Sequence, residues 1–278
     1  MSLEQTINSI MTKNKTTTSH ASSNYKCAKC SDTGFVRTEK GYTRCSCYED
    51  DYISRLWTNF GVNPEDVKLL RDYEPYNEVT KKAKNQAAKY IKEFSNLDKG
   101  TNFVLMGQAG GGKTHIVLAI GKALLERKIK VIYCPYLEAI RELKANAMDD
   151  EYYNKLINRY KMAEILIIDD LFKDKVKKGR LTAELTEADM RHIYPILNYR
   201  YSNKLSTLIS TECTPKMLIE LDEALGGRIL ECCGKSYGIV FNNQCNYRLR
   251  QFTEWWRGNN ESNWNNNRLN KPKWKAKL

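Results

Sequence analysis

The run Gly107-Gln108-Ala109-Gly110-Gly111-Gly112-Lys113-Thr114 obeys G-x-x-x-x-G-K-T and follows the apolar stretch Asn102–Met106, which has the length of a strand. Beyond it, Ile116, Val117, Ile120, Ala123 and Leu124 recur at helical spacing. A strand that feeds a glycine-rich turn and then a helix is a phosphate-binding loop, and it requires an alternating β/α architecture around it. Gly107, Gly110, Gly111 and Gly112 let the backbone curl until successive N–H groups share one concavity. Lys113 is then placed to reach the β- and γ-phosphates of a nucleoside triphosphate, and the Thr114 hydroxyl to ligate Mg²⁺.

The chain has 278 residues, enough for a core domain and an appendage. It contains no apolar run of membrane-spanning length, and its start lacks a basic and an apolar signal region, so a soluble protein of the bacterial or infected host cytoplasm is expected. The formal net charge is +12. Residues 1–75 are balanced, and the excess falls on residues 76–252 and 253–278, as a phosphate-backbone partner would favour.

Cysteines number nine, an odd count, and four of them cluster as Cys27-x-x-Cys30 and Cys45-x-Cys47 across a polar, glycine-containing stretch. Two close thiolate pairs on a hairpin-length loop suit a structural Cys₄ zinc site, which would supply folding free energy to a segment poor in apolar residues. Free thiols or a redox pair are the alternative. Residues 1–24 read as a flexible arm and residues 25–75 as the zinc-binding module. Within the latter, Ile53, Leu56, Trp57 and Phe60 form one face of a helix ended by Gly61, either packed on the zinc module or free to dock a protein.

Residues 76–252 carry the remaining strand signals. Lys130–Cys134 is a second strand, and Ile165-Leu166-Ile167-Ile168-Asp169-Asp170 is a third that ends in two carboxylates. This is the Walker B pattern, in which Asp169 holds Mg²⁺ and Asp170 polarises the attacking water. Ser206–Thr211, followed by Glu212, and Tyr237–Phe241 complete a predicted five-stranded parallel sheet sandwiched by helices. Arg228 follows Gly226-Gly227, which reads as a bend from which an arginine projects.

Together the string Leu166–Lys173, the segment Leu197-Asn198-Tyr199-Arg200-Tyr201, the strand Leu208–Glu212 and the segment Asp222–Ile229 resemble the DnaC/DnaI helicase loaders, especially phage and mobile-element versions. The likeness also takes in the N-terminal Cys-x-x-Cys with Asp32-Thr33-Gly34 and spans roughly residues 25–250. It implies an AAA+ P-loop ATPase that binds ATP and single-stranded DNA, while its N-terminal module docks a DnaB-type replicative helicase. It further implies that Arg228 is a finger completing a neighbour's site in a self-associated assembly. Two departures accompany it. The fourth strand ends Ser210-Thr211-Glu212 where many members have a sensor Asn, so Thr211 or Glu212 must serve and hydrolysis is expected to be slow. Gly227 stands where Ser often precedes the finger. Arg248 or Arg250 is a candidate for a sensor-2-like contact.

Residues 136–161 read as two helices broken near Asn146–Asp150. Their Arg141, Lys144, Tyr152, Tyr153, Lys155, Arg159 and Tyr160 compose a candidate single-strand platform of cations and stacking rings. The tail 253–278 carries four of the five tryptophans among Asn, Lys and Arg and reads as disordered, a solvated extension or a stacking arm. An IstB-like transposition helper ATPase and a non-hydrolysing, ATP-dependent DNA-binding adaptor are the competing functions.

Overall fold

A computed structural model describes residues 25–39, 41–242 and 246–247. The predicted arm 1–24, the tail 253–278 and both Arg248 and Arg250 lie outside the described residues. The chain divides between Tyr52 and Ile53 into two compact units.

The first unit holds an antiparallel hairpin of β1 (Phe35–Thr38) and β2 (Gly41–Arg44) and the opening turns of α1 (Ser46–Thr58). Among its described residues only Cys30 and Cys45 are buried. So small an apolar interior cannot offset the entropy of ordering the segment.

The second unit continues with α2 (Glu78–Glu93), β3 (Phe103–Gly107), α3 (Lys113–Glu126), β4 (Val131–Pro135), α4 (Tyr136–Ala145), α5 (Asp150–Lys161) and β5 (Ile165–Leu171). A two-residue hairpin follows, β6 (Val176–Lys177) and β7 (Arg180–Leu181), then α6 (Glu187–Ser202), β8 (Thr207–Thr211), α7 (Pro215–Leu221), α8 (Glu223–Tyr237) and β9 (Gly238–Phe241). The order β4-β5-β8-β3-β9 forms one five-stranded sheet, parallel throughout. Successive strand residues point to opposite faces, and Phe103, Val104 and Leu105 are all 0 % exposed, so both faces of the sheet are covered. The expected strands and the break between α4 and α5 are all present. No helix among the described residues is long and apolar enough to cross a membrane.

The stripe of Ile53, Leu56 and Trp57 belongs to the core of the second unit, which corrects the expectation that it packs on the cysteine module or stands free. Trp57 is fully buried, and its indole N–H donates to the Val131 carbonyl at 2.9 Å. Its ring lies 5.4 Å from that of Tyr133, and a Cβ on Gly121 would come within 3.1 Å of it.

Arg200 explains part of the Leu197–Tyr201 string. It is 1 % exposed and donates to Thr207 Oγ1 at 2.9 Å, to the Ala163 carbonyl at 2.7 Å and to the Ser206 carbonyl. One guanidinium thus ties the end of α6 to the entrances of β5 and β8. Burial pulls its pKa down to about 9.

Candidate nucleotide site

The phosphate loop lies at the C-terminal end of β3, an interior strand between β8 and β9. Gly107, Gly110 and Gly112 adopt φ of 92°, 79° and 79°, a region open to glycine at little cost. At Gly107 a Cβ would meet the Phe241 carbonyl oxygen at 2.4 Å, so the loop requires glycine there on two counts. Helices α2, α5, α6, α7 and α8 begin on the side-chain caps Asn77, Asp149, Thr186, Thr214 and Asp222. By contrast α3 begins on left-handed Gly112 with no side-chain cap, which leaves its first-turn amides to an anion. Lys113 is 6 % exposed, and its ammonium donates to the carbonyls of Gly107 at 2.8 Å and Gln108 at 2.7 Å.

Asp169 sits opposite. Its carboxylate accepts from Thr114 Oγ1 at 2.9 Å, from the Tyr133 hydroxyl at 3.2 Å and from the Ser210 hydroxyl. Burial raises its pKa, while the Ser210 and Thr114 hydrogen bonds oppose the rise. Two adjacent oxygens, Thr114 Oγ1 and Asp169 Oδ1, are the hard donors Mg²⁺ takes, and with a nucleotide bound the ion would neutralise charge on its phosphates. Just beyond, the register between β5 and β8 shifts from Ile168 to Leu171. Asp170 takes φ of 55° there, and its amide donates to Ser210 Oγ at 2.9 Å in place of a ladder bond. The break frees the Asp170 side chain to line the cleft.

That cleft, about 630 Å³, is lined by the loop, Thr114, Asp170, Lys173 and Glu212. Glu212 does face it, paired with Lys173. Thr211 does not, because it is fully buried and its hydroxyl donates to the Leu171 carbonyl at 2.7 Å. The residue that touches Asp169 from β8 is Ser210, which sequence reasoning missed. Strand order is the missing signal, since β8 lies beside β5 only in the folded sheet.

Sequence reasoning also missed a strap formed by residues 62–77. Lys122 Nζ donates to the carbonyls of Glu65 at 2.9 Å and Val67 at 3.1 Å, and His115 Nε2 donates to the Leu69 carbonyl at 3.1 Å. The Tyr73 hydroxyl then donates to the Gly111 carbonyl at 2.7 Å, inside the phosphate loop itself. Farther along the cleft, Tyr76 and Tyr247 bring their ring centroids to 5.4 Å, and the Tyr247 amide donates to the Gly110 carbonyl at 3.0 Å.

Arg228 lies within α8, not at a bend. The reason is packing: a Cβ at Gly226 would fall 2.6 Å from the carbonyl carbon of Leu218, so the glycine serves the close approach of α7 and α8. The half-buried guanidinium lies 5.6 Å from the Tyr194 ring centroid and 5.5 Å from that of Tyr201, and donates to the Tyr194 hydroxyl at 3.2 Å. The expected platform on α4 and α5 is also reduced. Tyr160 is fully buried, Tyr153 shares a hydrogen bond with His192 at 3.0 Å, and Lys144 is bound to Asp189 at 2.9 Å. Arg141, Tyr152 and Lys155 remain exposed.

In the first unit the sulfurs of Cys27, Cys30, Cys45 and Cys47 all lie within 4.8 Å of one another. Cys27 and Cys45 are 3.7 Å apart and Cys30 and Cys47 3.4 Å. Zinc–sulfur bonds of about 2.3 Å give a tetrahedral edge of about 3.8 Å, so the set fits a ZnS₄ site. Asp32 accepts from the Cys27 amide at 2.8 Å, which fixes the knuckle, and hydrogen bonds from Cys30 pull the Cys27 thiol down to about 7.

Comparison with known proteins agrees with this architecture. Residues 58–251 match the model of the family described as IstB-like ATP binding protein. The chain is 35 % identical to YqaM of Bacillus subtilis (strain 168), over 74 % of this chain and 66 % of that protein. It is 31 % identical to the phage-like element PBSX protein XkdC of the same organism, over 78 % of this chain and 83 % of XkdC. The replicative helicase loader DnaI of that organism is 28 % identical over 46 % of this chain and 39 % of its own length. Among solved structures, the DnaC helicase loader superposes with a TM-score of 0.52 at 23 % identity, covering 68 % of this chain and 99 % of that one. The match over residues 58–251 places the chain in the IstB-like family of AAA+ ATPases, with sequence similarity to the DnaI loader and the fold of the DnaC loader.

Proposed function

We propose that the chain is an ATP-dependent loader of a DnaB-type replicative helicase onto single-stranded DNA. One observation carries the reading: Thr114 and Asp169 meet beside the phosphate loop as a nucleotide site, in a chain that is similar to the replicative helicase loader DnaI. Within the second unit, residues 62–77 put the Tyr73 hydroxyl on the Gly111 carbonyl, so a partner bound to that strap would act on the phosphate loop. The four cysteines hold zinc as the structural core of that module. Arg141, Tyr152 and Lys155 contact the strand, and Arg228 reaches a neighbouring subunit's nucleotide. A transposition helper shares the ATPase core, but the cysteine cluster lies outside the matched residues 58–251 and favours the loader.

The test is transfer of a purified DnaB-type helicase onto a single-stranded DNA circle. Stimulation that requires both this chain and ATP is expected; co-purification with the helicase but no ATP-dependent transfer would count against loading. Zinc is measured on its own by elemental analysis of the purified chain. About one atom per chain is expected, falling to background when Cys30 and Cys45 are replaced by Ser. Absence of zinc together with an oxidisable pair would make the cluster redox-active instead.

A further inference from the structure

The hairpin β6–β7 grows directly out of the Walker B strand and has no part in the nucleotide site described above. Its turn is Lys178-Gly179, at φ of 52° and 72°, so both central residues are left-handed as a two-residue turn of the primed type requires. Glycine takes that conformation freely, whereas Lys178 is strained in it. Lys177 pairs directly across from Arg180. Like charges in that position destabilise a hairpin. Lys177, Lys178 and Arg180 are all exposed, and none of them is in an ion pair among the described residues.

The base of the same hairpin is built in the opposite way. Lys175 is 5 % exposed, and its ammonium lies 2.6 Å from Asp189 and 3.0 Å from Asp174. Burial alone would raise the Asp189 carboxyl, but Lys175 and Lys144 hold it far below the ordinary range, so it stays a charged anchor. Val176 is buried, and the Thr182 amide closes the base on the Lys175 carbonyl at 2.9 Å. A neutralised base thus presents a tip whose charges cost the fold stability and find no acidic partner among the described residues.

The geometry points to a nucleic-acid contact: Lys177, Lys178 and Arg180 bind the phosphate backbone of single-stranded DNA. The inference rests on the loader reading and names a second contact, apart from Arg141, Tyr152 and Lys155. Its location adds a consequence. Lys173, at the root of the hairpin, is paired with Glu212 in the nucleotide cleft, so backbone contact at the tip is connected to the cleft by one short, well-anchored segment.

The experiment is fluorescence-anisotropy titration of a labelled oligothymidine with the full chain across a salt series, comparing wild type with Lys177→Gln/Lys178→Gln/Arg180→Gln. Each single-strand phosphate contact contributes about 0.7 to the slope of log K against log salt, so the triple variant should lose about 2 from it. The single variant Lys178→Gln should lose about 0.7, which protects the test should the triple variant misfold. ATP hydrolysis without DNA should not change, and thermal melting should rise slightly or stay level, since the substitutions remove the Lys177–Arg180 repulsion. A wild type that binds and a triple variant that binds with the same slope overturns the hairpin contact alone. A wild type that binds no oligothymidine overturns the hairpin and the loader reading together, and a preference for duplex overturns the single-strand assignment.

Discussion

Lys113→Ala is expected to weaken ATP binding about thirtyfold at the least. Truncating one partner of a buried, hydrogen-bonded charge pair costs about 2–5 kcal/mol, which converts to factors of about thirty to several thousand. The ammonium is nearly buried and donates to the carbonyls of Gly107 and Gln108, so its loss also removes two bonds that hold the loop's shape. Isothermal titration with a non-hydrolysable analogue measures the loss, and thermal melting separates it from unfolding. The same variant tests Arg228. A Lys113→Ala chain keeps its finger but lacks a usable site, and an Arg228→Ala chain has the reverse defect. If the assembly is head-to-tail, an equimolar mixture makes roughly a quarter of its interfaces productive, and ATPase activity should partly return. No recovery would leave Arg228 as a clasp within its own chain, stacked on Tyr194 and Tyr201.

What the sequence made legible was what local backbone chemistry dictates. The phosphate loop declares itself because glycines at left-handed positions, a lysine and a hydroxyl must stand at fixed spacing. The Walker B strand declares itself because four buried aliphatics ending in Asp169 and Asp170 match a strand that is covered on both faces. The strands therefore fell into place, and so did the cysteine cluster, whose spacing alone brings the sulfurs together.

What remained hidden depends on partners far away in the chain. Tyr73 meets Gly111 across 38 positions, and nothing around Tyr73 marks it as a nucleotide-site residue. Ser210 touches Asp169 because the sheet order brings β8 beside β5, while the more conspicuous Glu212 pairs with Lys173. Gly226-Gly227 imitates a bend in sequence, yet the conformational freedom of Gly226 matters less than its lack of a Cβ beside Leu218. Tyr160 illustrates the same ambiguity: helical spacing that suits a stacking platform suits a core equally, and burial decided for the core. Trp57 stands beside the cysteine module in sequence, whereas its indole requires a buried acceptor, which the Val131 carbonyl of the second unit supplies.

Asp170→Asn is expected to leave ATP binding intact and to lower turnover by about 10²–10⁴-fold, the usual contribution of a positioned general base. The substitution is well chosen for this backbone. Asp170 sits at φ of 55°, and asparagine tolerates the left-handed region as well as aspartate does, so the amide bond to Ser210 Oγ should survive. Alanine there would confound the loss of the carboxylate with backbone strain. Asp169→Asn should behave differently, because Asp169 gathers Thr114, Tyr133 and Ser210, and its loss should appear first as weaker Mg²⁺ dependence. Single-turnover hydrolysis with and without a Mg²⁺ titration separates the two. If Asp170→Asn turned over at the wild-type rate, the base would have to be another carboxylate of the cleft, and Glu212, which follows the strand beside Walker B, is the candidate. That residue is held by Lys173, so freeing it by Lys173→Gln should then raise the rate instead of leaving it unchanged.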